Sequence, residues 1–503
     1  MRRITASLLG SLFLLLALPA MAQVTTDTAS VPAPTPTADA TVPPAAPQPA
    51  QQMTILDAVR QGRALLKADQ ASRAPKLAAA KPSKSAPNQA EIALAVWDKD
   101  ANAVSLVYAV KSGTSLTVTT PGNWPIRVTR EAKQSSTYGF TGGRNAQVVG
   151  VRYPVSIKGG TKKKPSYTMK DTVYVPSSDP AFYNPAVLSA GSDYLSYLIQ
   201  DAFDELRAKG IKSRAYPDKL VADVIDPYLL KSIVVIEHSG HVTLLGDDEP
   251  ESVLGQFLVK LALNEGDAFD NSISSAGASG LVQFIPSTYK LYVTKRPDLG
   301  LIPDFRTGMA DHKNAVKAEV AHLDSSLAGM PQPIRDIYAS DKTKAAEFLA
   351  AAYNGGDARV RKAFAAYGES WADNRAARLP GLNATAASLK SKISTLNKRI
   401  KAGKDVKANK AALSKATTDR ANAIAQIAGI KNNALRGETA IYVAKLRKTY
   451  SLLSAGAFAT PAAPSGGLPV GAQTASATVQ TITPADSGTN PASAPAALGT
   501  NTP

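Results

Sequence analysis

The sequence predicts an α+β chain of more than one domain, a small antiparallel β module followed by a mainly α-helical region. Three observations carry that expectation. The chain has 503 residues, room for more than one core. Residues 91–180 alternate or cluster β-branched side chains between Gly, Pro, Asn and Asp. From Ser192 onward the apolar period lengthens to that of a helix, with Leu195, Leu198, Ala202 and Leu206 on one stripe.

In chain order, Arg2 and Arg3, the apolar run Leu8 to Leu18 and the small-residue site Ala20-Met21-Ala22 read as an export signal over 1–22. The run is too short to span a bilayer comfortably. Export places the mature chain in the periplasm or outside the cell, without a stable membrane anchor. Residues 23–90 are a Pro/Ala-rich linker, interrupted by one helix over 53–76 that carries Ile55, Val59 and Leu65. Strands follow in IALAVWD, AVSLVYAV, SLTVTT, PIRVTR, AQVVGVRYPVSI and TVYVP, with a basic loop at Lys162-Lys163-Lys164. This module holds no catalytic constellation. The helical domain runs over 185–453. Inside it, the two β-branched runs of 232–245 read as a hairpin turning at Ser239-Gly240. Leu389, Ile393, Leu396 and Ile400, a break at Gly403, then Leu413, Ala416, Ala423, Ile427 and Ile430 read as a helical hairpin over 384–432. The Ala, Pro, Thr, Ser and Gly of 454–503 read as a disordered tail.

The absence of cysteine excludes disulfides, zinc-cysteine sites, thiol nucleophiles and lipoprotein anchoring. Four histidines leave little for histidine-rich metal sites. The net charge of +17 is unevenly spread. Residues 184–383 carry a net −5, residues 53–183 a net +11, and residues 384–432 a net +9 from 11 Lys or Arg and two Asp. A mildly acidic helical body thus bears two basic attachments, where partners are to be sought.

The chemistry is expected after Pro250. Leu254, Phe257, Leu258 and Leu261 form a helical stripe, and Glu265 falls on the same face. Burial and the negative end of the helix dipole both disfavour a charged carboxyl there, which suits a general acid near neutral pH. Gly266 ends the helix. Ser274, Ser275, Gly277, Ala278 and Gly280 then let backbone pass close to a ligand, and Gln283 offers an amide.

From Glu265 to Thr288 the pattern E-x8-S-x2-G-A-x-G-L-V-Q-x2-P-x-T resembles the lytic transglycosylases of the goose-type lysozyme superfamily. Two further elements follow in the family's order: Ala352-Tyr353-Asn354-Gly355-Gly356, similar to A-Y-N-A-G, and Glu438-Thr439-Ala440-Ile441-Tyr442-Val443, similar to E-T-x-x-Y-V. The resemblance covers about 250–450 and implies a lysozyme-like helical domain with the 384–432 hairpin inserted late in it. It also implies cleavage of the β-1,4 bond between N-acetylmuramic acid and N-acetylglucosamine in peptidoglycan. Glu265 would act as acid and then base, closing a 1,6-anhydro ring, with no metal or cofactor. By the same resemblance Ser274 positions substrate, Gln283, Tyr353 and Asn354 line the saccharide cleft, and Tyr442 sits near the Glu265 carboxyl. Gly266 stands where the family commonly has Ser, Val282 where it has Met, and Gly355 where it has Ala.

Competing readings stay open. Glu265 could be a salt-bridged helix-end residue. Glu237-His238-Ser239-Gly240 resembles an acid-bearing active-site stretch, but it falls on the expected hairpin, and its distance to Gln283 is wrong by 28 residues. Glu237, His238 and His241 could hold a metal, although the spacing is no familiar zinc pattern. Ser239 lacks a G-x-S-x-G elbow. Tyr353 and Tyr442 could be core aromatics. The activity could be a hydrolysing lysozyme's, or the domain could be a non-catalytic peptidoglycan-binding scaffold. The basic hairpin is either a solvated insertion or a dock for an acidic partner or peptidoglycan carboxylates, and an envelope protein could bind it or the β module. Nucleic acid is disfavoured, since the basic residues lack interleaved aromatics.

Overall fold

The computed structural model describes residues 52–78, 89–160, 165–239, 244, 250–270 and 272–458. The expected export signal, the linker stretches 23–51 and 79–88, the basic loop 162–164 and the tail from 459 lie outside the described residues.

Helix α1 (Ile55–Ala78) starts on a reciprocal cap. Thr54 Oγ1 accepts from the Asp57 amide at 3.2 Å, and the Asp57 carboxylate accepts from the Thr54 amide at 3.3 Å. The strands that follow are β1 (Ala90–Asp98), β2 (Ala103–Ser112), β3 (Ser115–Val118), β4 (Ile126–Arg130), β5 (Thr137–Phe140), β6 (Ala146–Gly160) and β7 (Pro165–Tyr174). Five of them form an antiparallel sheet in the order β3-β2-β1-β6-β7, and β4 pairs with β5 in a separate ribbon. The central strand β1 is buried on both faces, which is why it reads as a near-continuous apolar run. On one face Ala93, Ala95 and Trp97 meet Ala58, Val59 and Leu66 of α1. On the other, Ile92, Leu94 and Val96 meet Ile126 and Tyr138 of the ribbon.

The rest is helical: α2 (Pro185–Ala208), α3 (Val221–Val224), α4 (Pro227–Glu237), α5 (Pro250–Asn264), α6 (Pro286–Lys295), α7 (Phe305–Ala310), α8 (His312–Ala328), α9 (Gln332–Ser340), α10 (Lys342–Gly355), α11 (Asp357–Tyr367), α12 (Leu379–Lys401), α13 (Val406–Asn433) and α14 (Gly437–Ser454). A single core joins α2, α4, α5, α8, α10 and α14. The stripe Leu195, Leu198, Ala202 and Leu206 faces it, as the period predicts. Gly191 lets α2 and α5 touch: a Cβ there would lie 2.1 Å from the Leu258 carbonyl oxygen. Val259, Ala262 and Leu263 of α5 also enter the α1 cluster, so sheet and helices share apolar packing. The helix pair α12 and α13 packs along its seam, where Leu396, Ala416, Ala423 and Ile430 are buried.

One expectation is corrected here. Residues 227–237 are helix α4, not the first strand of a hairpin. Asp226 caps it by accepting from the Tyr228 amide at 3.0 Å, and Pro227 occupies its first turn. Buried on nearly every side, it has no polar face, so its Ile233-Val234-Val235-Ile236 run mimics a strand.

Candidate active site

Helix α4 ends in Glu237, and α14 packs along it. The helices are tied at both ends. Near the start of α4 the Tyr450 hydroxyl donates to Asp226, and at its end the Tyr442 hydroxyl donates to Glu237 Oε1 at 2.8 Å. Burial pushes the Glu237 carboxyl up to about 7, against the opposing pull of the Tyr442 hydrogen bond and the Lys445 charge. Lys445 lies one turn beyond Tyr442 and reaches the Ser239 carbonyl at 3.5 Å.

The other motifs meet at the same place. His238 follows Glu237 and donates through Nε2 to the Leu281 carbonyl at 2.8 Å, its ring stacked on Phe269 with centroids 3.8 Å apart. Burial holds this imidazole down near 3, hence neutral. The Tyr353 hydroxyl donates to the carbonyl of the next residue, Val282. On α10, Asn354 Oδ1 accepts from Thr439 Oγ1 of α14 at 2.9 Å. Gly355 lies against the same threonine, where a Cβ would stand 2.6 Å from its Oγ1. Glycine in place of the family's alanine therefore lets α14 close onto α10. The G-L-V-Q, A-Y-N-G-G and E-T-A-I-Y-V segments thus converge around Glu237.

Behind them lies a carboxyl that sequence reasoning did not single out. Glu319 on α8 is fully buried, and neither oxygen has a hydrogen-bond partner among the described residues. Burial, then the charge of Glu237, raise its pKa well above the ordinary carboxylate range, so it is a neutral acid. It also faces Tyr353 and Tyr442.

Glu265 stands elsewhere. Its side chain is 45% exposed in a short 3₁₀ turn after α5, and its Oε2 accepts from Arg63 Nη1 of α1 at 3.0 Å. Arg63 also donates to the Asn264 carbonyl at 2.8 Å and to Asp267 at 2.7 Å. Two expectations are corrected. Glu265 does not sit on the buried face of α5, and Tyr442 bonds Glu237 rather than Glu265. The helix ends one residue early, and α1 turns the carboxylate into an anchor between α1 and α5. Ser274 Oγ accepts from the Ala278 amide at 3.0 Å, holding the small-residue turn. Gln283, at φ +49°, donates to the carbonyls of Gly280 at 2.8 Å and Ser272 at 3.3 Å. Both therefore shape the loop leading to Leu281 and Val282.

His238 is committed to a carbonyl, and His241 lies outside the described residues. Among the described residues no cluster of metal-ligating side chains occurs and no helix is long and apolar enough to cross a membrane. The signal that points to Glu237 was present in the sequence: Asp226-Pro227 is a helix start, and an apolar run leads from it to the acid.

No curated protein matches the chain. Residues 248–375 match the family model described as Transglycosylase SLT domain. The matched span holds Glu265, Ser274, Gln283, Tyr353 and Asn354, begins 11 residues after Glu237 and stops short of α12. It supports a lytic-transglycosylase type of function acting on peptidoglycan. The match over residues 248–375 is consistent with a lytic transglycosylase of the lysozyme-like superfamily.

Proposed function

We propose that this protein is an exported peptidoglycan lytic transglycosylase in which Glu237, rather than Glu265, is the acid and then the base. The observation that carries the assignment is the Tyr442–Glu237 hydrogen bond inside the convergence of the three motifs. A carboxyl ionising near 7 is still protonated in a useful fraction at neutral pH and can also accept a proton back.

In the first half-reaction Glu237 gives its proton to the glycosidic oxygen as the bond from the N-acetylmuramic acid C1 breaks. The substrate's own N-acetyl oxygen supports the electron-poor C1, so no second protein carboxylate is needed. In the second, Glu237 takes the proton of the C6 hydroxyl while its oxygen bonds to C1, closing the 1,6-anhydro ring and regenerating the acid. Tyr442 holds the carboxyl by one oxygen and stabilises its ionised form between the two halves. Tyr353 and Asn354 fix the cleft wall through Val282 and Thr439, while Ser274 and Gln283 hold the turn that presents it. Saccharide contacts are assigned to these four residues. Export rests on residues 1–22 and is tested by amino-terminal sequencing of protein recovered from the periplasm.

Purified sacculi are digested with the wild type, Glu237→Gln and Glu265→Gln, and the soluble products are weighed by mass spectrometry. Anhydro-muropeptides from the wild type and from Glu265→Gln, with at least ~100-fold less from Glu237→Gln, is the expected result. Full activity in Glu237→Gln and none in Glu265→Gln would return the acid to Glu265. Reducing ends in place of anhydro ends would make the enzyme a hydrolase. Binding of sacculi with no release by the wild type would make it a scaffold.

A further inference from the structure

Helices α12 and α13 form an arm that the proposed chemistry does not use. The hydrogen bonds joining it to the body lie at its root: Arg359 to the Ala434 carbonyl at 3.0 Å, the Tyr367 hydroxyl to the Gly429 carbonyl at 3.3 Å, and Arg378 to Gln426 at 3.5 Å. Twenty residues of α13 separate Gln426 from Val406 at the other end, so the tip stands roughly 30 Å beyond the root at 1.5 Å per residue. Around the turn, Lys398, Arg399, Lys401, Lys404, Lys407 and Lys410 are all exposed. None of the six makes an ion pair among the described residues, and Asp405 is the single acid between them. Six cations against one acid at the end of a long arm make a local positive field.

The composition of the arm restricts what it can hold. Residues 379–433 contain no Phe, Tyr or Trp, so there is neither a stacking platform for bases nor an aromatic anchor for a bilayer interface. What remains is recognition of separated point charges by flexible ammonium groups. The root of the arm meets α11, which directly follows α10 and its Tyr353-Asn354 pair. A polymer held at the tip is therefore held by an arm whose root adjoins the helix after the Tyr353-Asn354 pair.

We infer that the α12–α13 tip is an anion-binding site for the free carboxylates of peptidoglycan peptide stems, holding the sacculus while the cleft works on its glycan. This inference rests on peptidoglycan being the substrate, and it adds a second contact of different chemistry, peptide rather than sugar.

The test is co-sedimentation of the full chain with purified sacculi, in a Glu237→Gln background so that the sacculi stay whole. It is run with and without the combined Gln substitution of the six tip cations. Gln preserves helix propensity, and circular dichroism checks the fold. At about 50 mM salt the tip variant should bind about tenfold more weakly, and at about 300 mM salt the two should converge. Sacculi whose carboxylates have been amidated should bind the unaltered tip as weakly as native sacculi bind the tip variant, an arm that needs no mutation there. Equal binding of the two proteins to native sacculi, or equal binding of amidated and native sacculi, overturns the inference. So does tip-dependent binding to phosphatidylethanolamine–phosphatidylglycerol vesicles that exceeds binding to sacculi. Turnover of sacculi by the wild type reports separately on the substrate: an active enzyme with tip-independent binding sinks only the tip, and a tip-dependent binder without turnover sinks only the catalysis.

Discussion

Replacing Glu237 by Gln should make the folded protein more stable at neutral and alkaline pH. The folded carboxyl ionises near 7, whereas the ordinary value is 4.5. Between those values the unfolded chain has released its proton and the folded chain has not. Stability therefore falls as pH rises through this window and is lower by a constant amount above it. The gap of about two and a half pH units, at about 1.4 kcal/mol each, comes to about 3.5 kcal/mol. The Gln variant keeps the shape and an oxygen for the Tyr442 hydroxyl but has no proton to lose, so it escapes this cost. Urea unfolding of both proteins at a series of pH values from 4 to 8 measures the difference. The two should be nearly equal at pH 4 and diverge in favour of Gln up to pH 7. Glu319 titrates in both and largely cancels. Parallel stability profiles, or a variant less stable at pH 8, would refute the buried-acid account of Glu237. Glu265→Gln is the control: the pair is part-buried, but Arg63 keeps its bonds to Asp267 and the Asn264 carbonyl, so stability should change by no more than ~1 kcal/mol at any pH.

Tyr442→Phe removes the donor that favours ionised Glu237, so the alkaline limb of the activity profile should move to higher pH while kcat drops about tenfold. Arg63→Ala deletes three hydrogen bonds at the α5 terminus and should lower stability by about 2 kcal/mol in urea unfolding, with the Tyr442–Glu237 bond left in place. Glu319→Met replaces an unpartnered buried acid by an apolar side chain of similar length and should stabilise the fold by ~1–3 kcal/mol, read as a higher urea midpoint at pH 7. Gly191→Ala forces a methyl against the Leu258 carbonyl and should cost at least ~2 kcal/mol or leave the protein insoluble, measured as soluble yield and urea midpoint.

What could be read in the sequence was whatever repeated with a period. The stripe of α2, the alternation of the strands and the seam of α12 and α13 all depend on one face differing from the other, and each lies where the pattern puts it. Helix α4 has no such difference, because both its faces are inside, and it was misread as a strand. The reading of the site depends on that helix. Once α4 becomes a hairpin, Glu237 has no helix to terminate, and the motif spacing hands the acid to Glu265. Tyr442, which the motif places near Glu265, donates instead to Glu237. The contacts that set the two carboxyls apart, Arg63 with Glu265 and Tyr442 with Glu237, join residues about two hundred positions apart and leave no local signature. Glu319 was equally silent, since one acid among the many charged and polar residues of α8 looks like any solvent-facing residue until its neighbours are known.

The fastening of α4 by α14 bears on when the chain becomes competent. Glu237 and its tyrosine are 205 residues apart, so the acid is synthesised long before the group that orients it. Closing a loop of that size costs roughly 5 kcal/mol of chain entropy, and only the packing of the whole helical body can repay it. A nascent or truncated chain ending before α14 holds the carboxyl without its hydroxyl partner and without the wall formed through Thr439. Docking of the last described helix is thus the assembly step that completes the carboxyl–hydroxyl pair, so a chain gains it only once its final helical turn is in place.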